Sequence, residues 1–281
     1  MHTDLVAALD IGGTKIAGAL VDREGRILAR AQRPTPARED GDTVMAAVGA
    51  VIGDLAASPL WERAGAVGIG SAGPVDASAG TVSPVNVPGW RDYPLVAQVR
   101  DAAGGLPVAL IGDGVAITAA EHWQGAARGH DNALCMVVST GVGGGLVLGG
   151  RLHPGPTGNA GHIGHISVDL DGDPCPCAAA RAGDPVAVAS YERAARALAA
   201  GIAATATLVE IDIAVIGGGV GKAGEVLFAP LRKALTEFAT LSFVRRLAVV
   251  PARTGTDAGL VGAAAAALMG RTDASPAAAD A

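Results

Sequence analysis

The chain opens with two apolar runs joined by a glycine turn, and an acidic residue ends the first run. Residues 5–9 predict a buried strand and residues 16–21 a second one, with Asp10, Gly12, Gly13, Thr14 and Lys15 around the turn. Glycine lets a phosphate approach backbone N–H groups that a side chain would block. Asp10 can hold a metal ion and its waters beside that phosphate, while Thr14 and Lys15 add a hydroxyl and a positive charge. The segment predicts a phosphate site, with an ordinary glycine-turn hairpin as the alternative.

A second strand–glycine–strand unit stands near the middle of the chain. Residues 134–138 are apolar, a glycine-rich turn follows, and residues 146–148 are apolar again. Within this turn, Thr140, Gly141 and Gly143 are candidate nucleotide-binding residues. Two such units in different halves of the chain indicate a duplicated fold. The two units are expected to bind one polyphosphate from both sides.

The composition narrows the class of protein. The 281 residues are 50% hydrophobic, enough for one large or two medium domains, and the net charge of -6 argues against a nucleic-acid surface. No apolar run reaches the ~20 residues of a membrane span, and the N-terminus lacks the pattern of a signal peptide. The 3 cysteines suit a reducing compartment better than a disulfide framework. We therefore expect a cytoplasmic protein with no nucleic-acid or membrane partner.

Alternating apolar periodicities predict an α/β fold. A helix at 44–57, capped by Asp42 or Thr43, follows the first hairpin. Further strands are predicted at 66–70, 108–111, 211–216 and 247–250, and further helices at 93–103, 115–124, 184–208, 223–239 and 259–269. We expect an N-terminal α/β domain at 1–112, a larger C-terminal α/β domain at 113–258, and a flexible tail at 271–281.

Asp113 is the candidate general base. It follows the apolar strand at 108–111 and stands just before the helix at 115–124. A carboxylate there can face a cleft and accept the proton of a hydroxyl group as that hydroxyl attacks a phosphoryl group. Aspartate is also a favoured N-cap residue, and position alone supports both roles equally.

Residues 219–224 match the GxGxxG pattern that follows a strand in dinucleotide-binding folds. Such a fold needs an acid at the end of the next strand, roughly 20 residues on, and residues 240–251 contain none. The motif also lies too near the C-terminus to start a doubly wound sheet. The residues therefore do not indicate a dinucleotide-binding fold, and Gly217, Gly218 and Gly219 stay candidate nucleotide-binding residues.

These ordered motifs resemble the ROK family of repressors and sugar kinases, within the superfamily of sugar kinases, actin and heat-shock chaperone ATPases. The resemblance rests on residues 9–15, on Asp113 ahead of Thr118-Ala119-Ala120-Glu121, and on residues 86–90, 161–165 and 175–177. It implies a two-domain, actin-like (ribonuclease H-like) sugar kinase fold with a cleft between the domains. The last helix, at about 259–270, is then expected to return to the N-terminal domain.

The resemblance also implies a reaction. It points to ATP and Mg²⁺ as cofactors, a hexose as substrate, Asp113 as the base, and a homodimer or homotetramer. The phosphates are expected near Gly12, Gly13, Gly141 and Gly143, and the adenine towards Gly217.

The sugar pocket implied by the resemblance consists of Gly73, Asn86, Gly112, Asp113, His162 and His165. This chain departs from the family there: Gly112 and Gly114 replace asparagines on both sides of the catalytic Asp, and His162 replaces a glutamate. Imidazole can bond hydroxyl groups but supplies no fixed negative charge at pH 7, so the choice of sugar stays open. A helix-face metal pair of His162 and His165, and a plain Pro–Gly turn at 86–90, are the alternatives.

A zinc site is implied by the resemblance but is only partly present. In relatives, a histidine matching His165 joins a Cys-x-Cys-Gly-x-x-Gly-Cys-x-Glu segment whose first two cysteines match Cys175 and Cys177. The third Cys and the Glu are absent, whereas structural zinc prefers four ligands. The residues after Cys177 resemble a segment further downstream in relatives. We therefore predict a missing piece, with no normal peptide bond between Cys177 and Ala178, or else an altered site there.

The motifs leave three functions open. An ATP-dependent, glucokinase-like hexose kinase agrees with the two glycine hairpins and Asp113. A ROK repressor would carry a helix-turn-helix ahead of the first hairpin, and we expect none because only four residues precede the first strand. A sugar-binding or regulatory protein without kinase activity agrees with Gly112, Gly114 and His162. The sequence decides neither the sugar nor whether ATP or polyphosphate is the donor.

Overall fold

A computed structural model describes residues 3–139, 141–166 and 185–273. The strands in this part of the chain are β1 (Leu5–Ile11), β2 (Lys15–Val21), β3 (Ile27–Pro34), β4 (Ala64–Ser71), β5 (Val75–Asp76), β6 (Thr81–Val82), β7 (Val108–Gly112), β8 (Ala133–Val138), β9 (Val142–Leu148), β10 (Arg151–His153), β11 (Ile213–Gly217) and β12 (Ala248–Pro251). The α-helices are α1 (Gly41–Ala56), α2 (Leu95–Ala102), α3 (Asp113–Gln124), α4 (Pro185–Val209), α5 (Gly218–Gly221), α6 (Glu225–Phe238) and α7 (Ala258–Asp273).

The first sheet has the strand order β3-β2-β1-β4-β7. β1 is antiparallel to β2 and parallel to β4, and β4 is parallel to β7. Because side chains alternate along a strand, β1 contributes to both faces of this sheet. Leu9 packs in one core with Val48 of α1, and Ala8 packs in another with Ala263 of α7. Helices therefore cover both faces.

The second sheet repeats this arrangement. Its order is β10-β9-β8-β11-β12, with the same sequence of antiparallel and parallel pairs. Leu134 of β8 packs with Ile202 of α4 and Leu231 of α6 in the core of this half. The repeat agrees with the duplicated fold that the two glycine hairpins predicted.

Helices α3 and α7 cross between the two sheets. α7 packs on β1 and β4, while α3 packs on β8 and β9 and against α7. A Cβ atom on Gly262 of α7 would overlap the carbonyl of Ala116, and one on Gly114 would lie 2.6 Å from the carbonyl oxygen of Gly144. Glycine at these crossings lets the backbones approach closely, so α3 is held between α7 and β9.

Four predicted helix starts are wrong by two or three residues, those of α1, α2, α3 and α6; α2 begins at Leu95 rather than 93, and α3 at Asp113 rather than 115. α1 begins at Gly41, and its cap is Asp40, whose Oδ1 accepts the N–H of Thr43 at 2.8 Å, rather than Asp42 or Thr43. The helix predicted at 223–239 begins only at Glu225, because Gly224 precedes it with a φ of +63° that no helical residue adopts.

The C-terminal helix is longer than predicted. α7 continues to Asp273, so the tail expected at 271–281 does not start at residue 271. Residues 274–281 lie outside the described residues, and the domain limits at 112 and 258 stay predictions. In the described part of the chain, no helix combines the length and apolar character that crossing a membrane requires.

Candidate active site

Asp10 and the first glycine turn lie at the end of β1. The N–H of Gly12 donates to the Lys15 carbonyl oxygen at 2.9 Å, and the Thr35 hydroxyl donates to the Gly12 carbonyl oxygen at 2.6 Å. Thr14 and Lys15 are exposed on this turn. The Asp10 carboxyl group lies against Gly259 near the start of α7, where a Cβ atom would overlap it. The turn is therefore fixed from both sides, with its charged side chains on the surface.

Asp113 is the first residue of α3, directly after β7. The N-cap residue is Gly112, which has no side chain, and Asp113 Oδ1 accepts the neighbouring Gly114 N–H at 2.7 Å. The N-cap alternative for Asp113 is therefore wrong. The residue is exposed, so its carboxylate is accessible to a substrate.

The charges of the Asp10 and Asp113 carboxyl groups affect each other. Burial raises the pKa of Asp10, Lys15 lowers it, and the charge of Asp113 raises it further. Burial also raises the pKa of Asp113, while the Gly114 N–H and the charge of His162 lower it. Asp113 therefore interacts electrostatically with Asp10 from the first hairpin and with His162 from the second half of the chain.

The second glycine turn lies beside the N-terminus of α3. The N–H of Ser139 donates to the Gly141 carbonyl oxygen at 2.9 Å, and a Cβ atom on Gly143 would lie 3.9 Å from the Cα of Gly114. Thr140, the third candidate of this turn, lies outside the described residues. Gly143 of the second turn therefore lies at the start of α3, next to the residue that follows Asp113.

Gly217, Gly218 and Gly219 join the second turn. β11 ends at Gly217 beside Val137 of β8. Gly218 has a φ of +85°, and a Cβ atom there would overlap the carbonyl oxygen of Val138, so only glycine fits. The helix that follows has four residues, unlike the long helix of a dinucleotide fold. The structure brings these glycines close to the end of β8, as a shared nucleotide site requires.

The residues predicted for the sugar pocket meet at the cleft, with one difference. A Cβ atom on Gly73 would lie 3.8 Å from His162 Cε1, and one on Gly112 would lie 3.4 Å from the Gly158 carbonyl oxygen. The rings of His162 and His165 are 5.7 Å apart between centroids. Asn86, in contrast, lies against Gly13 of the phosphate turn, where a Cβ atom would overlap its amide.

Trp90, at the end of the segment around Asn86, belongs to the core of the first half. It is fully buried, its Nε1 donates to the Gly41 carbonyl oxygen at 3.0 Å, and its ring stacks on Tyr93 with a centroid distance of 4.9 Å. The tryptophan therefore holds the segment against α1, which places Asn86 at the first turn.

Nothing in the described residues supports zinc. Within residues 3–139, 141–166 and 185–273, no three His, Cys, Asp or Glu side chains are grouped as metal ligands. His165 is described, whereas Cys175, Cys177 and the predicted break before Ala178 lie outside the described residues. Zinc and the break stay predictions. Magnesium needs fewer protein ligands than structural zinc, because it is commonly held by one or two carboxylates and waters. Asp10 fits that pattern.

Two polar side chains of structural importance escaped the sequence analysis. Asn159 bonds the backbone of Val75 from a loop in the other half of the chain. Glu121, quoted only as part of a family pattern, is fully buried and accepts three or more hydrogen bonds. The available signal for Glu121 was a carboxylate directly after the alanine-rich stretch 116–120 of α3.

Comparison with known proteins covers nearly the whole chain. The profile of the ROK family matches residues 6–180 and 177–269. A glucokinase of Streptomyces coelicolor is 33% identical over 311 residues, which are 92% of this chain and 96% of that protein. An N-acetylmannosamine kinase of Escherichia fergusonii is 35% identical over 290 residues, again 92% of this chain and 96% of that protein.

A solved structure extends the comparison to the fold. The crystal structure of a ROK family glucokinase from Streptomyces griseus in complex with glucose and AMPPNP has a TM-score of 0.79 and 33% identity, over 94% of this chain and 99% of that one. This agreement confirms the predicted two-domain, actin-like (ribonuclease H-like) fold. With two repeated sheets and a family match along nearly its full length, the chain belongs to the ROK family, and the relatives named above are sugar kinases.

Proposed function

We propose that this chain transfers the γ-phosphoryl group of ATP to a hexose, with glucose as the first substrate to test and Asp113 as the general base. The observation that carries the proposal is the placement of Asp113, at the start of α3 in the cleft and within electrostatic reach of Asp10. One carboxylate at the end of β1 beside the first glycine turn, and one at the start of α3 beside Gly143 of the second turn, are suited to phosphoryl transfer, where positioning and electrostatics provide most of the catalysis.

In the proposed reaction, a sugar hydroxyl oxygen bonds to the γ-phosphorus as the bond to the bridging oxygen breaks and ADP leaves. Asp113 accepts the hydroxyl proton and later releases it to solvent. The backbone N–H groups around Gly12, Gly13, Gly141 and Gly143 are proposed to bind the phosphates. Asp10 would hold Mg²⁺, which would supply positive charge to the phosphate oxygens.

The sugar is proposed to lie among Gly73, Gly112, His162 and His165, with Asn86 contacting it from the first turn. The adenosine is proposed to lie beside Gly217–Gly219. His162 is the residue that bears on which sugar is used. Neutral imidazole presents one donor and one acceptor, whereas a carboxylate presents acceptors only. An N-acetylhexosamine such as N-acetylmannosamine, the substrate in the name of one relative, is therefore tested beside glucose.

A sugar-binding or regulatory protein without kinase activity is the second candidate. The specific observation in its favour is the absence of side chains on both neighbours of Asp113, Gly112 and Gly114. We further propose a cytoplasmic homodimer or homotetramer that binds no nucleic acid.

The test is ADP formation by the purified chain with ATP and Mg²⁺, alone and with glucose, mannose or N-acetylmannosamine. A kinase forms ADP at a much higher rate with one sugar present and stops when EDTA removes the Mg²⁺. Polyphosphate in place of ATP, with sugar phosphate as the readout, tests the other donor. Sugar binding by calorimetry without phosphorylation under any of these conditions would establish the second candidate.

A further inference from the structure

We propose that Asn159 is a positioning residue that clamps the loop bearing His162 and His165 to the opposite wall of the cleft, and so sets the affinity for the sugar. The inference rests on the proposed function, because it assigns that loop to sugar binding. It concerns a residue outside the set that we place in contact with substrate.

One side-chain amide satisfies both backbone polar groups of Val75. Asn159 Oδ1 accepts the Val75 N–H at 3.1 Å, and Nδ2 donates to the Val75 carbonyl oxygen at 2.6 Å. The same Nδ2 donates to the Thr157 hydroxyl at 3.0 Å, which fixes the amide orientation. The paired bonds join residues 84 positions apart, and no other residue type of this size offers a donor and an acceptor in that geometry.

Neighbouring backbone contacts extend the clamp. The Ala77 N–H donates to the Thr157 carbonyl oxygen at 2.9 Å. Gly158 has a φ of +97°, and a Cβ atom there would lie 3.0 Å from the Val75 side chain. The loop therefore lies flat along residues 75–77, and the Asn159 amide closes the contact.

The far end of the same loop is fixed to the second sheet. A Cβ atom on Gly161 would lie 2.5 Å from the Cα of Gly145, and one on Gly164 would overlap the Val142 carbonyl. His162 stands between these two attachments, with its Cε1 3.8 Å from a Cβ atom placed on Gly73. The loop thus bridges both halves of the chain, and Asn159 provides its polar attachment to the first half.

The position of Asn159 predicts an effect on sugar binding and none on ATP binding. Asn159 bonds Val75 and Thr157, and its Oδ1 lies 3.8 Å from a Cβ atom placed on Gly73 of the proposed sugar pocket. None of these described contacts is with Gly12 or Gly141 of the phosphate turns. Loosening the clamp should therefore raise the KM for sugar and leave the KM for ATP unchanged. A residue that merely supports the fold would lower the melting temperature without separating the two constants.

The main test is Asn159→Asp, with each substrate varied in turn. Aspartate keeps the shape and the acceptor for the Val75 N–H, but it turns an oxygen towards the Val75 carbonyl oxygen in place of a donor. We expect the KM for sugar to rise about 10- to 100-fold, the cost of losing one partly buried bond and creating a repulsion, with the KM for ATP within about twofold. Thr157→Val, which removes only the outer bond of the amide, should give a smaller rise.

Asn132→Asp is the matched control. Asn132 Oδ1 also accepts a loop N–H, that of Gly149 at 3.0 Å, but it precedes β8, at the end of that strand away from the cleft. Both KM values should stay at the wild-type level. An unchanged sugar KM in Asn159→Asp, or an equal rise in the KM for ATP, overturns the proposal.

Hydrogen–deuterium exchange of the unliganded protein tests the clamp without activity. Peptides covering residues 73–78 and 154–166 should exchange faster in Asn159→Asp and in Asn159→Ala than in wild type, and peptides covering residues 5–21 should not. If wild type phosphorylates no sugar, the proposed function fails while this measurement still decides whether the clamp exists. Unchanged exchange in both variants overturns it.

Discussion

Replacing Glu121 by glutamine should destabilise the fold strongly, although the two side chains have nearly the same shape. Glu121 is 0% exposed. Its Oε1 accepts the N–H groups of Arg253 at 2.9 Å and Thr254 at 2.8 Å, and its Oε2 accepts the Ala126 N–H at 2.7 Å. The carboxylate therefore joins the end of α3 to the connection between β12 and α7.

The magnitude follows from the number of donors. A hydrogen bond to a charged group contributes about 1.5–3 kcal/mol, and every partner of Glu121 in these three bonds is an N–H donor. Glutamine keeps one acceptor oxygen and turns its NH₂ group towards at least one of the donors, which leaves a buried N–H unpaired. We expect a loss of about 2–4 kcal/mol, or roughly 5–15 °C in Tm for a chain of this size.

Thermal unfolding followed by circular dichroism, with urea unfolding as a second measure, tests this value. Glu24→Gln is the control, because Glu24 pairs with Arg26 on the surface with 66% of its side chain exposed, and such pairs contribute little. Its Tm should change by about 1 °C or less. A change equally small in Glu121→Gln would refute the view that this carboxylate holds α3 to the β12–α7 connection.

Two further results are expected. Gly262→Ala should lower the free energy of unfolding by about 1–3 kcal/mol because its Cβ would overlap the Ala116 carbonyl. Gly49→Ala, in α1 with nothing within 4 Å, is the control and should leave the free energy of unfolding unchanged or raise it. Equal Tm changes in the two variants would contradict the close α3–α7 contact. Burial raises the pKa of Asp113 against the opposing effect of His162, and only the ionised carboxylate accepts a proton. The rate of sugar phosphorylation should therefore fall as the pH decreases, with a midpoint above the pKa of an ordinary aspartate. A pH–rate profile whose acid limb lies at or below the ordinary aspartate value would contradict this.

Local patterns explain what the sequence could predict. Each glycine hairpin combines two apolar strands and a turn within about twenty residues, so the pairs β1–β2 and β8–β9 can be recognised from the order of their residues alone. Asp113 stands where a buried strand ends and a helix begins, and its place at the start of α3 follows from that local change in periodicity.

Long-range contacts explain what the sequence could not predict. The Asn159 amide is defined by Val75 and the Glu121 carboxylate by Arg253, and neither partner is suggested by spacing or composition. The α1 cap was misplaced because Asp40, Asp42 and Thr43 are all favourable caps, and only the backbone geometry selects Asp40. The contact of Asn86 with Gly13 of the first glycine turn likewise could not be read from the sequence, and its place in the sugar pocket stays a prediction.

The turnover number of Asp113→Asn, at saturating ATP and sugar, tests the proposed mechanism most directly. The asparagine Oδ1 can still accept the Gly114 N–H, so the variant should keep the wild-type Tm, and exposed Asp101→Asn on α2 serves as the control with unchanged turnover. If Asp113 accepts the hydroxyl proton, its replacement should lower kcat by about 10²–10⁴-fold. A folded Asp113→Asn variant with near wild-type turnover would contradict the assignment of Asp113 as the base.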